Sequence, residues 1–146
     1  MRSRHLCSGL LLTIALVASA KSEGIHWFTD ADEAWNAVDL EARPMLVLVT
    51  RPGCPFCVRM KNSTLADPLV VQVVNAEYVA LQVDQQDDPA FVRDLGIKAF
   101  PTLLIISPDD KLIDRVKGYI TADQARQRLA AARRTTTALL PENRAR

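Results

Sequence analysis

The spacing of apolar residues changes period several times along the chain, and each change marks a structural element. Residues 25–28 read as a short first strand. Ala31, Trp35, Val38 and Ala42 then recur at helical spacing. They predict a helix capped by Thr29 or Asp30, running to about Glu41 and stopped by Pro44. Residues 45–49 (Met-Leu-Val-Leu-Val) are continuously apolar, the signature of a strand buried on both faces of a parallel sheet. A helix is expected from Pro55, a residue suited to the first helical position, to about Leu65. Asp67-Pro68 repeats the cap-plus-proline signal before another short helix, with Leu69, Val70, Val73 and Val74 facing inward. Residues 78–83 form the next expected strand.

Asp88-Pro89 opens a further helix on which Phe91 and Leu95 share a face, and Gly96 suits its C-terminus. Residues 102–106 predict a strand, residues 107–110 a turn, and residues 112–117 an antiparallel partner. Thr121 and Gln124 have capping-box spacing. After them Ala122, Ala125, Leu129 and Ala132 lie on one helical face, with Arg126, Arg128, Arg133 and Arg134 assigned to solvent and the helix C-terminus. Periodicity is lost from Thr135. The order β-α-β-α-α-β-α-β-β-α predicts an α/β fold with a central mixed sheet and helices on both faces.

Residues 1–20 have a different character. Arg2 and Arg4 precede an apolar core at residues 10–18, and Ala18-Ser19-Ala20 has the small-x-small form of a cleavage site. This predicts a signal peptide over 1–20, a domain over 21–134 and a flexible tail over 135–146. The apolar stretch is short for a spanning helix, so the mature protein is not expected to be membrane-embedded. The C-terminal Asn-Arg-Ala-Arg is not a retention signal of the endoplasmic reticulum, which favours a periplasmic destination, with secretion as the other option. Without Arg2 and Arg4 the 18 basic residues fall below the 17 acidic ones, and the net charge moves from +1 to about −1. Nothing in that balance suggests a nucleic-acid partner.

The same cleavage removes Cys7 and leaves Cys54 and Cys57. A disulfide between them closes a loop too short to restrain the unfolded chain, so a staple is disfavoured. A structural zinc site needs four ligands, and these two thiols and His26 do not supply them, so no metal is expected. A CxxC between a buried strand and a helix start is the redox context. Cys54 at the helix N-terminus is the expected nucleophile, because unpaired N–H groups and the helix dipole favour its thiolate, with Arg51 adding positive potential. Arg59 and Lys61 are read as a solvated face. Cys57, one turn further in and so more buried, is the expected resolving thiol. His26 is read as structural or solvated, and Asp88 as a helix cap. Both tryptophans, Trp27 and Trp35, are expected to pack the first helix to the sheet.

Taken together, residues 45–57, the strand ending at Asp84, the segment Phe100-Pro101-Thr102 and Gly118 resemble the thioredoxin superfamily. Trp27, the alanine-rich helix and Pro44 resemble its exported members. The resemblance covers roughly residues 25–132. It implies a thioredoxin fold, a cis bond at Pro101, and a substrate groove at Phe100 and Pro101, with Pro55 and Phe56 supporting the dithiol. Three positions depart from thioredoxin. Leu48 stands where that protein has a buried aspartate, Ala80 where it has the paired lysine, and Gly53 where it has a tryptophan. Pro55-Phe56 is similar to the glutaredoxin dipeptide, yet no glycine pair follows the last strand to hold glutathione. Phe56 cannot stabilise a thiolate by charge, as the histidine of disulfide oxidases can.

The resemblance therefore implies an exported thiol–disulfide oxidoreductase that reduces protein disulfides, without a cofactor, and is re-reduced by a membrane thiol-transfer partner. The alternatives are a disulfide oxidase or isomerase, and a non-catalytic peptide- or metal-binding module.

Overall fold

Along the strand β2 (Met45–Thr50) every residue is buried, but successive side chains belong to two different cores. The computed structural model describes residues 24–139, so the segment 1–20 lies outside the described residues. Leu46 and Leu48 join the core under the long C-terminal helix, while Met45, Val47 and Val49 join the core on the opposite face. This alternation is the pleat of a strand with both faces covered, and it explains the unbroken apolar run.

Four further strands complete one sheet: β1 (Trp27–Phe28), β3 (Val79–Asp84), β4 (Thr102–Ile106) and β5 (Leu112–Lys117). Their spatial order is β1-β3-β2-β4-β5. β1 and β2 run parallel to β3, and β4 runs antiparallel to both β2 and β5. One face carries α2 (Pro55–Arg59), α3 (Pro68–Glu77) and α5 (Ala122–Leu139); the other carries α1 (Ala31–Glu41) and α4 (Pro89–Asp94). The mixed sheet with helices on both faces is the architecture the sequence predicts.

The helix starts follow from local chemistry. Asp30, Asp67 and Asp88 each accept a hydrogen bond from a backbone N–H of the first turn of α1, α3 and α4. At α5 the capping box closes in both directions: Gln124 N–H donates to Thr121 Oγ1, and Thr121 N–H donates to Gln124 Oε1.

Several packing expectations are corrected. In α1 the buried residues are Ala34 and Val38, whereas Ala42 is exposed and left-handed at the helix end. In α3 the buried set is Val70, Val71 and Val74, and Leu69 is 53% exposed. Helices of eleven and ten residues sample too few turns for spacing alone to fix their phase. Trp27 and Trp35 do not share a core; they pack on opposite faces of the sheet. The helix that starts at Pro55 widens into a π-turn over Met60–Thr64. α5 continues to Leu139 rather than ending at 134, with Thr136 buried and the hydroxyls of Thr135, Thr136 and Thr137 donating to carbonyls four residues back. The arginines of α5 are also not merely solvated. Arg126 bridges to Asp67, Arg128 to Asp114 and Arg133 to Glu77, tying the helix to α3 and β5.

The phenol of Tyr78 is buried and donates to the Leu129 carbonyl at 2.6 Å, joining the start of β3 to α5. Burial pushes its ionisation well above the ordinary value of 10.0. The folded chain thus holds this proton more tightly than the unfolded chain does. Its stabilisation is complete below about pH 10 and is lost as pH rises toward the folded value. Tyr78→Phe is expected to cost about 1 kcal/mol at neutral pH, through the lost hydrogen bond. It should also flatten the alkaline fall in stability, as read from urea melts across about pH 8 to 11.

Candidate active site

β2 leaves the sheet at Thr50 and turns through Pro52 and Gly53. Gly53 has φ +66°, which favours glycine there over the tryptophan that thioredoxin carries. Cys54 follows with extended backbone (φ −97°, ψ 104°) as the N-cap of α2, and Pro55 takes the first helical turn. The cap is made by sulfur: Cys57 N–H donates to Cys54 Sγ at 3.1 Å. The same N–H and that of Val58 reach the Cys54 carbonyl at 3.1 and 3.2 Å. A backbone donor aimed at Sγ favours thiolate over thiol once the disulfide is opened.

Cys54 and Cys57 form a disulfide, with Cα atoms 5.3 Å apart. Both cysteines are buried, Cys57 at 4% exposure only marginally more so than Cys54 at 5%. Phe56 and Val58, at 57% and 58% exposure, form an apolar rim beside them.

The second wall comes from β4. Val49 pairs with Thr102, so the residues after β2 and those before β4 meet at one end of the sheet. The Phe100–Pro101 peptide bond is cis. Pro101 is buried, and its carbonyl accepts from Gly118 N–H at 2.7 Å. Phe100 is half-buried against the α1 and α4 core. Its outer surface is covered by Arg51, whose guanidinium carbon lies 5.6 Å from the ring centroid. Arg51 therefore links the two loops that bracket Cys54.

The third wall is polar. A cleft of about 390 Å³ opens beside the dithiol, lined by Thr50, Arg51, Cys54, Cys57, Lys61 and Asp84 among others. Thr50 and Asp84 are register partners at the ends of β2 and β3, and Thr50 Oγ1 donates to Asp84 Oδ2 at 2.9 Å. Asp84 Oδ1 accepts from Gln86 N–H at 3.0 Å. Deeper along the same two strands, Leu48 and Ala80 are buried and apolar.

Sequence reasoning singled out Asp84 only as a strand end, and missed Thr50 and the inward placement of Lys61. The signal was present in the strand ends: each carries one polar residue on the same side of the pleat. Arg59 is not simply solvated either. Its guanidinium stacks over Tyr119 at 4.4 Å, and hydrogen bonds with the Ser63 and Thr64 hydroxyls hold that phenol below its ordinary range. Among the described residues no group of three or more His, Cys, Asp or Glu side chains is arranged to hold a metal ion. No helix among them is long and apolar enough to cross a membrane.

Residues 31–133 match the family model described as a thioredoxin-like domain. No curated protein sequence matches the chain. Among solved structures, a thioredoxin from Thermus thermophilus is similar with a TM-score of 0.73 and 20% identity, over 80% of this chain and 92% of that one. A protein described as DsbH oxidoreductase has a TM-score of 0.67 and 18% identity, over 86% of this chain and 95% of its own. The oxidised C-terminal domain of Neisseria meningitidis DsbD has a TM-score of 0.61 and 21% identity, over 73% and 99% respectively. These likenesses show the same fold.

Proposed function

Because the chain belongs to the thioredoxin-like family of thiol–disulfide oxidoreductases, we propose that Cys54 and Cys57 reduce protein disulfides outside the cytoplasm. The observation that carries this reading is the sulfur cap: Cys54 Sγ receives the Cys57 N–H at the head of α2. In the reaction the Cys54 thiolate attacks a substrate disulfide. A mixed disulfide forms and the first substrate thiolate leaves and is protonated. Cys57 then attacks Cys54 Sγ, the second substrate thiol departs, and the Cys54–Cys57 disulfide is left. Two electrons pass from the dithiol to the substrate.

Pro55 starts the helix that carries both thiols, and Phe56 and Val58 offer apolar contact to an unfolded segment. Phe100 and Pro101 supply the opposite wall of the substrate groove. The predicted signal over 1–20 supports export and a periplasmic setting. There the oxidised pair needs an electron donor, and a membrane thiol-transfer protein fits that need. A neighbour described as an oxidoreductase, and a DsbD domain solved in oxidised and reduced forms, are consistent with such a cycle. Reduction is favoured over oxidation because Phe56 brings no charge to the thiolate. Arg51 and Lys61 favour the oxidase or isomerase alternative, since both add a cation to the cleft of Cys54.

The test is catalysis of insulin disulfide reduction by dithiothreitol. The mature chain is expected to accelerate precipitation of the insulin B chain at catalytic concentrations. A rate equal to dithiothreitol alone contradicts the proposal.

A further inference from the structure

Resolution of the mixed disulfide requires Cys57 to lose a proton, and the two buried positions where thioredoxin carries its aspartate and lysine offer it no acceptor here. The positions behind the dithiol, Leu48 and Ala80, are buried and apolar. The polar pair in this chain lies further out on the same pleat of the same strands: Thr50 two residues beyond Leu48, and Asp84 four beyond Ala80. Both line the cleft that Cys57 lines.

We propose that Asp84 accepts the Cys57 proton during resolution, with Thr50 as its positioning residue and Lys61 as the facing cation. This assignment rests on the dithiol reading above. Thr50 Oγ1 donates to Oδ2 and Gln86 N–H to Oδ1, so the carboxylate is held from two sides and cannot turn freely out of the cleft. Oxygen lone pairs remain on both carboxylate atoms for a proton. Lys61, half-buried on the π-turn, and Arg51, from the loop, line the cleft from the other two elements and oppose excess negative charge as the thiolate forms. Asp84 also borders a second, acidic hollow with Asp30, Asp32, Asp87 and Asp88, whose lining includes neither cysteine.

The step balances. The Cys57 S–H bond breaks and its proton passes into the cleft to Asp84. The Cys57 thiolate attacks Cys54 Sγ, the intramolecular S–S bond forms, and the bond from Cys54 to the substrate sulfur breaks. The departing substrate thiolate takes up a proton, either directly from Asp84 or from solvent while Asp84 releases its own proton to solvent, and in both cases the carboxylate is restored. The two electrons come from the dithiol alone.

The experiment is stopped-flow reaction of the reduced mature chain with 5,5′-dithiobis(2-nitrobenzoate). The first release of thionitrobenzoate reports attack by Cys54, and the second reports resolution by Cys57. Asp84→Asn keeps an oxygen and the side-chain shape. It should slow the second release at neutral pH by about tenfold or more and move its pH profile to the alkaline side, leaving the first release unchanged. Thr50→Val should give a smaller loss in the second phase only, recovered by Thr50→Ser. Equal rates in both phases for wild type and Asp84→Asn overturn the assignment, as does equal slowing of both phases. If Asp84→Asn fails to give a cooperative melt, Thr50→Val and Thr50→Ser decide by the same two-phase criterion. Absence of any second release in the wild type defeats the dithiol reading itself, and so is told apart from failure of the Asp84 assignment.

Discussion

Cys54→Ser is expected to lose disulfide reduction entirely, down to the rate of the reductant alone, while keeping its fold. A serine hydroxyl can still accept the Cys57 N–H that caps α2, so the helix start survives. What disappears is the nucleophile, since a hydroxyl is not ionised by a backbone donor at neutral pH. Cys57→Ser should behave differently. Cys54 still attacks, but nothing resolves the adduct, so the substrate stays attached as a mixed disulfide. Intact-mass analysis after mixing with an oxidised protein should find that adduct in Cys57→Ser and not in Cys54→Ser. Residual turnover in Cys54→Ser would place the chemistry elsewhere.

Leu104→Ala is expected to be the most damaging single truncation away from the dithiol. Leu104 is fully buried at the centre of β4, which runs between β2 and β5 and begins directly after Pro101. It packs with Val47, Leu81 and Val38 in the core beneath α1. Its loss should cost about 2–5 kcal/mol, the removed transfer energy plus the cavity left in a sheet that cannot collapse around it. Urea melts measure this directly. Leu104→Met, which conserves volume, should cost less than about 1.5 kcal/mol. A loss in Leu104→Ala below about 1 kcal/mol would mean this core is less tightly packed than its burial implies.

Much of this architecture is legible in the sequence because strand and cap signals are local. The unbroken run at residues 45–49 can be a doubly covered strand, and Asp30, Asp67 and Asp88 cap the helices they precede. The dithiol is legible for the same reason, since its spacing lies within one helical turn. What escaped is non-local. The phase of α3, with Val71 in and Leu69 out, is set by which residues meet the α5 face. The continuation of α5 to Leu139 follows from burial of Thr136 and from threonine hydroxyls satisfied by the helix itself, neither of which hydrophobic periodicity reports. Arg51 over Phe100 joins residues 49 apart in sequence, and Thr50 to Asp84 spans 34. Such pairs become visible only once the sheet order sets β2 between β3 and β4.

The central claim is that Cys54 and Cys57 form a reversible redox pair suited to reduction. It is tested most directly by equilibrating the mature chain with dithiothreitol couples and counting free thiols. The account predicts one two-electron transition at the reducing end of the family range, near the value of about −270 mV found for thioredoxin. A transition near about −120 mV would make the pair a disulfide donor and contradict the direction proposed here. The absence of any reversible transition would contradict the redox assignment as a whole.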